Sequence, residues 1–379
     1  MDYKRFETLS LSDEEYNHYK ANEIDYKKKH SKLINKARES SKPEKCYICG
    51  KQCSSFCNSH SIPRFILKNI SDNGMIHTPA WFIKNIPFVD KEVGINKTGV
   101  FKIICKECDS KVFTDYENED NYKSIPTQIM LSQIALKNSL KQISKKQLES
   151  QLHQEIPPPL NISSIEEMPL EPILQYMFAQ FITDILDTSE AIDDYDYAQE
   201  FLKILSKSND YRYHIGYSIK LDYVVPYAFQ SQIMLTHDLY GSIINRNYDM
   251  SPEYRIQNID ICVFPLKETS QIFIFTRSDF TRYSKFYEQL NKLSQKDALS
   301  IINYIILVFS EEVYFNPNIN LKLSEEKELS DCIAKVAEII DIRSVSPNEV
   351  EKNHMNRFSF SNHKNIPNLL SLEFQIKGE

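Results

Sequence analysis

The sequence predicts an α+β protein in which a small metal-bound module precedes a larger mixed α+β domain. Three observations lead to this prediction. Six of the eight cysteines fall within residues 46–108, the proline-rich stretch EIPPPLNISS occupies residues 155–164, and a β-rich block lies between helical segments in the C-terminal half. The three prolines of EIPPPLNISS cannot continue a helix, so we place a linker over 155–166. The larger domain follows over 167–379, and the sequence assigns it no role.

Three segments precede the linker. Residues 1–43 are polar with little apolar periodicity, and Ser12 followed by Glu15 is a capping-box pattern, which predicts a helical arm. The cysteine-rich module covers residues 44–122. Residues 123–154 carry apolar side chains at helical spacing and predict one long connecting helix.

The C-terminal domain shows both helical and strand patterns. Alternation or buried apolar runs predict strands within residues 212–229, 230–244, 259–266 and 270–277. Helices are predicted on either side of this block, over residues 172–186, 197–205, 286–293 and 295–315. No glycine-rich phosphate loop occurs in the chain, so the common nucleotide-binding folds lack their signature.

The N-terminal third and the rest of the chain differ in the sign of their net charge. Residues 1–111 carry 20 Lys+Arg and 14 Asp+Glu, whereas residues 112–379 carry 25 and 38. Phosphate electrostatics therefore favour the N-terminal third as the part that meets DNA, although a solvated surface explains the same charges. The acidic C-terminal domain is a candidate for binding a protein partner. No apolar signal region and no apolar run of about 18 residues occurs, so we expect no membrane span and a cytoplasmic location.

Two CxxC pairs separated by 55 residues predict one tetrahedral zinc site. Clustered cysteines in a reducing compartment indicate metal ligands rather than disulfides. The predicted zinc ligands are Cys46, Cys49, Cys105 and Cys108. Cys53 and Cys57 form a CxxxC pair and are rival ligands. A second zinc would need two more ligands, for which only His60 and His77 lie near in the sequence, so we prefer one zinc.

The order of the motifs resembles a known zinc module. A CxxC turn, a hairpin, and a second CxxC turn leading into a short helix make the treble-clef arrangement. The string CxxC, then SHSIPRFIL, then CKECDSKVFTDYE resembles the HNH-type (ββα-metal-like) treble-clef modules, and most of all their "CxxC…SHxIP…CxxC" branch. The resemblance covers about residues 44–120. Modules of this branch are often found at the N-terminus of bacterial proteins of unknown or defence-related role.

The resemblance implies roles for individual residues. In active HNH enzymes the His before IP is the general base that activates water, and His60 holds that position. The preceding residue is often an Asp that binds a catalytic ion, but here it is Ser59, and the usual middle Asn is missing from GVFKII before the second CxxC. Asp109 holds the place of the last ligand and would bind Mg²⁺ or Mn²⁺. Arg64 and Lys68 would hold phosphates.

Glu117 is a second candidate ligand for such an ion. It lies eight residues after Asp109, which is about 12 Å along a continuous helix. This distance predicts that the two carboxylates do not share an ion.

Two functional hypotheses follow. In the first, an HNH-like zinc protein binds nucleic acid and is a metal-dependent DNA endonuclease in bacterial anti-phage defence, with His60 and Asp109 as its reduced catalytic set. In the second, the module is a catalytically inactive zinc-stapled scaffold, and the C-terminal domain binds a protein or ligand. Two usual members of the catalytic set are absent, so the sequence leaves open whether the protein is an enzyme.

Overall fold

The computed structural model describes residues 35–78, 92–155, 191–200, 211–246, 253–310, 312–319 and 358–376, together with isolated residues and runs of two or three residues elsewhere. These residues form a mixture of helices and antiparallel sheet, which confirms the α+β class. Most of the arm (1–43), nearly all of the linker (155–166) and the predicted helix 172–186 lie outside the described residues. Among the described helices, none combines the length and the apolarity of a membrane span.

The N-terminal part consists of short elements that lead into one long helix. They are β1 (Ser59–His60), α1 (Arg64–Ile70), β2 (Met75–His77), β3 (Glu92–Gly94), β4 (Val100–Phe101), α2 (Lys106–Val112), a 3₁₀ helix (Glu119–Lys123) and α3 (Gln128–Glu155). Helix α3 occupies the stretch whose apolar spacing predicts the connecting helix.

The C-terminal part contributes most of the sheet. Its elements are β5 (Tyr213–Leu221), β6 (Tyr227–Ile233), β7 (Ile259–Pro265), β8 (Ser270–Arg277), α4 (Ser284–Asn291), α5 (Gln295–Phe309), β9 (Val313–Phe315) and 3₁₀ helices at Phe360–Asn365 and Leu372–Phe374. Residues 191–200 are also helical. Strands β5, β7 and β8 each fall within one stretch that predicts a strand, whereas β6 spans the end of 212–229 and the start of 230–244.

One sheet includes strands from both parts of the chain. Its seven strands have the order β3-β2-β9-β6-β7-β8-β5, and all neighbours are antiparallel. Strand β9 joins the two parts, because Phe315 lies opposite both His77 of β2 and Tyr227 of β6. The cysteine-rich segment and the C-terminal half are therefore built into the same sheet.

The prediction of a helix over residues 295–315 was wrong at its end. Helix α5 stops at Phe309, and Val313–Phe315 form β9. β-Branched and aromatic side chains fit a pleated, buried strand, and these three residues are buried between β2 and β6. The apolar run continues unbroken from helix to strand, so periodicity alone could not show the boundary.

Helix α3 is buried on all sides in its central turns. Every residue from Met130 to Leu140 is buried, polar side chains included. Such a helix lies inside the core rather than on a surface. Its buried polar groups have partners, as burial requires: the Asn138 amide donates to Asp260 Oδ1 on β7 at 2.8 Å, and Gln133 Oε1 accepts from the Tyr116 amide at 2.8 Å.

Aromatic rings connect the cysteine-rich segment to the sheet. Phe65 on α1 contacts Tyr122 (ring centroids 5.8 Å apart), and Tyr122 contacts Phe264 on β7 at 5.5 Å. Phe264 in turn contacts Phe273 on β8 at 5.5 Å. These residues belong to one apolar cluster that also includes Ile66 of α1 and the buried part of α3. Because they share this core, we expect the two parts to fold together.

Candidate metal centre and its surroundings

The first CxxC turn is closed by a glycine. The Gly50 amide donates to the Cys46 carbonyl at 2.8 Å, and Gly50 has a φ of 68°, which glycine adopts without the steric cost of a Cβ. The Cys46 amide donates back to the Lys51 carbonyl at 2.9 Å. The sequence CYICGK therefore folds into a tight turn that brings Cys46 and Cys49 to the same side.

The second CxxC turn starts a helix. Cys105 is the N-cap of α2, and its Sγ accepts from the Cys108 amide at 3.5 Å. The Cys105 amide donates to Cys46 Sγ at 3.3 Å, which joins the second turn to the first. Amide donors and the N-terminal end of a helix both favour negatively charged sulfur.

The four predicted ligands form a cluster. The Sγ atoms of Cys46, Cys49, Cys105 and Cys108 all lie within 4.8 Å of one another. Sulfurs bound to tetrahedral zinc at ~2.3 Å are about 3.8 Å apart, and Cys49 Sγ lies 4.0 Å from Cys105 Sγ. Among the residues that the structure describes, no other group of three or more His, Cys, Asp or Glu side chains comes together in this way. The donor set and its size fit a structural zinc ion.

The four thiols can ionise together only if a cation lies between them. Burial raises the pKa of Cys108 well above its usual value, and hydrogen bonds with the neighbouring cysteine side chains raise it further. Four crowded sulfurs cannot all ionise unless a positive charge neutralises them. A zinc ion would supply such a charge, since thiols that coordinate it are deprotonated.

The rival ligands lie beside the cluster but outside it. The Cys53 thiol donates to the Lys51 carbonyl at 3.3 Å, and the Cys57 thiol donates to the Ile104 carbonyl at 3.3 Å. Burial raises the pKa of Cys57 to about 12, and the nearby Asp109 carboxylate contributes to the rise. Cys57 is therefore a neutral thiol at pH 7. This arrangement agrees with one zinc rather than two.

Residues 191–200 cover the first CxxC turn. The Tyr195 ring meets the Tyr47 ring edge-on at 6.4 Å, and its hydroxyl donates to the Tyr47 carbonyl. The Gln199 amide donates to the Ile48 carbonyl at 3.2 Å. The sequence gives no sign of this contact, because about 150 residues separate the two segments and neither carries a recognisable motif.

His60 is held in a defined tautomer. It lies on β1 opposite Val100 of β4, and its Nε2 is 3.1 Å from the Ile95 carbonyl oxygen. A carbonyl only accepts, so Nε2 carries the proton and Nδ1 keeps a lone pair. Burial lowers the pKa of His60. The imidazole is therefore neutral at pH 7, which is the state that a general base requires.

The predicted phosphate-binding residues lie on α1, next to the loop that contacts His60. Arg64 and Lys68 are both exposed, and they are one helical turn apart. The Arg64 Nε donates to the side-chain oxygen of Asn96 at 3.1 Å. Asn96 follows Ile95, so one short loop contacts both His60 and Arg64. Asn96 stands outside the motif, and no sequence signal marks it as part of the site.

Asp109 is bound by a buried lysine. Its Oδ1 accepts from the Ser59 hydroxyl at 2.6 Å and from the Lys137 ammonium at 2.9 Å. The same ammonium contacts Glu117 Oε1 at 3.0 Å and Ser59 Oγ at 2.9 Å. The Lys137 side chain is completely buried. A lysine is almost never fully buried unless it is paired with an acidic group, and Lys137 is paired in this way. The sequence around Lys137 does not show that this lysine is buried.

This contact corrects the spacing argument for the two carboxylates. Asp109 and Glu117 do share a cation, but the cation is the Lys137 ammonium. A separation of about 12 Å applies to a continuous helix, whereas α2 ends at Val112 and the chain turns before it reaches Glu117. The carboxylate that the HNH resemblance assigns to Mg²⁺ or Mn²⁺ is thus already paired with a fixed positive charge. The residues present do not fit a catalytic divalent ion at Asp109.

A second polar cluster surrounds a small cavity between α3 and the sheet. The cavity has a volume of about 10 Å³, which is room for one water molecule, and Asp194, Asp260 and Arg277 are among its lining residues. Burial raises the pKa of Asp260 to about 8, and the charge of Asp194 contributes to the rise. Arg277 pairs with Asp194 at 2.8 Å and stacks on the Tyr197 ring at 3.9 Å. Asp260 is therefore a largely neutral buried acid at pH 7.

Comparison with protein-family models, curated proteins and solved structures finds no match for this chain.

Proposed function

We propose that this protein is a zinc-stapled nucleic-acid-binding protein whose HNH-like treble-clef module presents His60 and Arg64 to a phosphate backbone. The observation that carries the proposal is the joint placement of these two side chains. The loop at Ile95 and Asn96 holds the His60 imidazole and the exposed Arg64 guanidinium. Guanidinium groups match phosphate oxygens in geometry and charge, and Lys68 adds a second exposed cation one turn away.

In this proposal zinc has a structural role. Cys46, Cys49, Cys105 and Cys108 would hold it, and it would offset half of the charge of four thiolates and join the two CxxC turns across 55 residues. The antiparallel pair of β1 and β4 and the helix α1 lie between these turns in the chain. Their positions, and hence those of His60 and Arg64, depend on the two turns being held together.

Binding without cleavage is the activity that the geometry supports best. In the HNH scheme a divalent ion next to the helix carboxylate assists the departure of the leaving oxygen, but Asp109 is paired with Lys137 instead. A metal-dependent endonuclease in anti-phage defence is the second candidate. It is favoured by the neutral imidazole of His60, whose Nδ1 keeps a lone pair for a proton.

Salt-dependent binding to duplex DNA tests the proposal. We expect Arg64→Ala and Lys68→Ala each to weaken binding and to reduce the slope of log K against log salt by about 1, because each removes one phosphate contact. Lys220→Ala is the matched control, since Lys220 is an exposed lysine on β5, outside the module. Binding that is absent at low salt, or that is unchanged in both module variants, would favour the scaffold hypothesis.

A plasmid-nicking assay with Mg²⁺, Mn²⁺ or Ni²⁺ separates the two candidates. We expect no cleavage by the wild type or by His60→Ala. Cleavage by the wild type alone would establish the endonuclease, and the antiviral role would then be tested by comparing phage plating on cells that express the wild type or His60→Ala. Cleavage that persists in His60→Ala would exclude His60 as its general base.

A further inference from the structure

We infer that the ammonium group of Lys137 is the resident cation of the HNH-like centre, in the place that the resemblance gives to a divalent metal ion, and that Asp109 binds no metal. The inference rests on the contacts of Lys137 and on the residue at position 59. It does not depend on nucleic-acid binding.

The hydrogen-bond capacity of the ammonium is filled. An ammonium group has three N–H donors and no acceptor. Three oxygens surround Lys137 Nζ: Asp109 Oδ1 at 2.9 Å, Ser59 Oγ at 2.9 Å and Glu117 Oε1 at 3.0 Å. The Phe113 ring lies on another side, with its centroid 3.7 Å from Nζ, and an aromatic face attracts a cation. The site is thus built around one positive charge.

Ser59 suits an ammonium better than a divalent ion. The HNH pattern often has an Asp here, as a metal ligand. In this chain the Ser59 hydroxyl accepts from Lys137 and donates to Asp109 at 2.6 Å, so it bridges the two charged groups. With Ser at this position, two carboxylates face a single positive charge, whereas an Asp would make three. Two carboxylates with a monovalent cation therefore give the same net charge as three carboxylates with a divalent one.

A divalent ion at Asp109 Oδ1 would compete with the lysine for this oxygen. A metal bound there at ~2.1 Å would lie within about 5 Å of Nζ, and charges of +2 and +1 at that distance repel each other. The Lys137 side chain is completely buried, and it belongs to the turns of α3 that are buried on all sides. The ammonium is therefore held in place by the packing of α3.

Lys137 is accordingly a positioning residue. Since it is buried, it does not touch a phosphate. It joins α3 to β1 through Ser59, which precedes His60 in the chain. It also joins α3 to α2 through Asp109, which follows Cys108. The lysine therefore fixes the distance between the His60 strand and the second CxxC turn.

Mn²⁺ binding to the zinc-loaded full chain tests the inference without nucleic acid. Electron paramagnetic resonance of free Mn²⁺ would be followed for the wild type and Asp109→Asn. We expect indistinguishable binding, with no site that depends on Asp109 at Mn²⁺ concentrations up to about 1 mM. A wild-type site of 1:1 stoichiometry that Asp109→Asn removes would overturn the inference. This comparison needs no change at Lys137, so it decides the question even if Lys137 variants do not fold.

Lys137→Met supplies the converse test, because methionine keeps the length of the side chain and removes its charge. We expect the variant to have a lowered Tm that Mn²⁺ partly restores, and to show a Mn²⁺ site that the double variant Lys137→Met/Asp109→Asn lacks. A folded Lys137→Met protein that gains no Asp109-dependent site would show that the ammonium does not stand in the place of an ion, and would contradict the inference.

Discussion

Removal of zinc is expected to unfold both the cysteine-rich module and the sheet. Structural zinc contributes roughly 10–16 kcal/mol to the folding of small zinc domains at pH 7, whereas whole domains are stable by only about 5–15 kcal/mol. Cys105→Ser removes one ligand, and with it the sulfur that accepts from the Cys108 amide and lies 4.0 Å from Cys49 Sγ. We therefore expect this variant, or the wild type treated with a strong chelator, to lose the cooperative unfolding transition that the zinc-loaded protein shows.

We expect the unfolding to include the sheet, because the cysteine-rich module is part of the core of the sheet. Phe65 packs on Tyr122, Tyr122 packs on Phe264 of β7, and β2 pairs with β9. The segment 191–200, which covers the first CxxC turn through Tyr195, lies outside the module in the sequence. Far-UV circular dichroism and thermal unfolding measure the effect. Cys53→Ser is the matched control, since Cys53 lies beside the cluster without joining it. If the thermal unfolding of the sheet is the same with and without zinc, the result would contradict the shared core.

The second large effect is expected at Asp260. Burial raises the pKa of this carboxyl from 3.8 to about 8. Below pH 4 the folded and unfolded states both hold the proton. Between pH 4 and 8 the folded state keeps a proton that the unfolded state has released, so Asp260 lowers wild-type stability by about 1.4 kcal/mol for each pH unit that the pH rises. Above pH 8 the effect levels off.

Asp260→Asn should remove this dependence. The asparagine keeps an oxygen that can accept from the Asn138 amide, which donates to Asp260 Oδ1 at 2.8 Å in the wild type, and it cannot ionise. We expect the variant to gain stability relative to the wild type from pH 5 to 8, measured as the free energy of unfolding in urea. Asp222→Asn, at an exposed carboxyl, is the control. A difference between variant and wild type that stays constant with pH would show that Asp260 is already ionised in the folded state.

The metal centre was the part of the molecule that the sequence predicted best. Each CxxC pair is local, and the requirement for four ligands joins two local motifs across a long loop, so the cluster of Cys46, Cys49, Cys105 and Cys108 followed from spacing alone. Strands β5 to β8 were predictable for a similar reason, since their apolar patterns reflect burial in a sheet. Both signals lie within short windows of sequence.

The parts that could not be predicted depend on distant contacts. The pairing of β2 with β9 joins residues more than 200 positions apart, and a three-residue strand carries too little pattern to show it. The burial of Lys137 depends on two carboxylates and a hydroxyl that come from different elements. Without those partners, a lysine in a helix is normally assigned to the surface. The partners of the candidate centre were therefore visible only in the fold.

The metal content of the full-length chain tests the central claim most directly. Native mass spectrometry should find one zinc ion per chain in the wild type, one in Cys53→Ser and in Cys57→Ser, and none in Cys105→Ser. This result would establish a single zinc held by Cys46, Cys49, Cys105 and Cys108. Two zinc ions in the wild type, or loss of the only zinc in Cys57→Ser, would contradict the four-cysteine centre on which the account of the module depends.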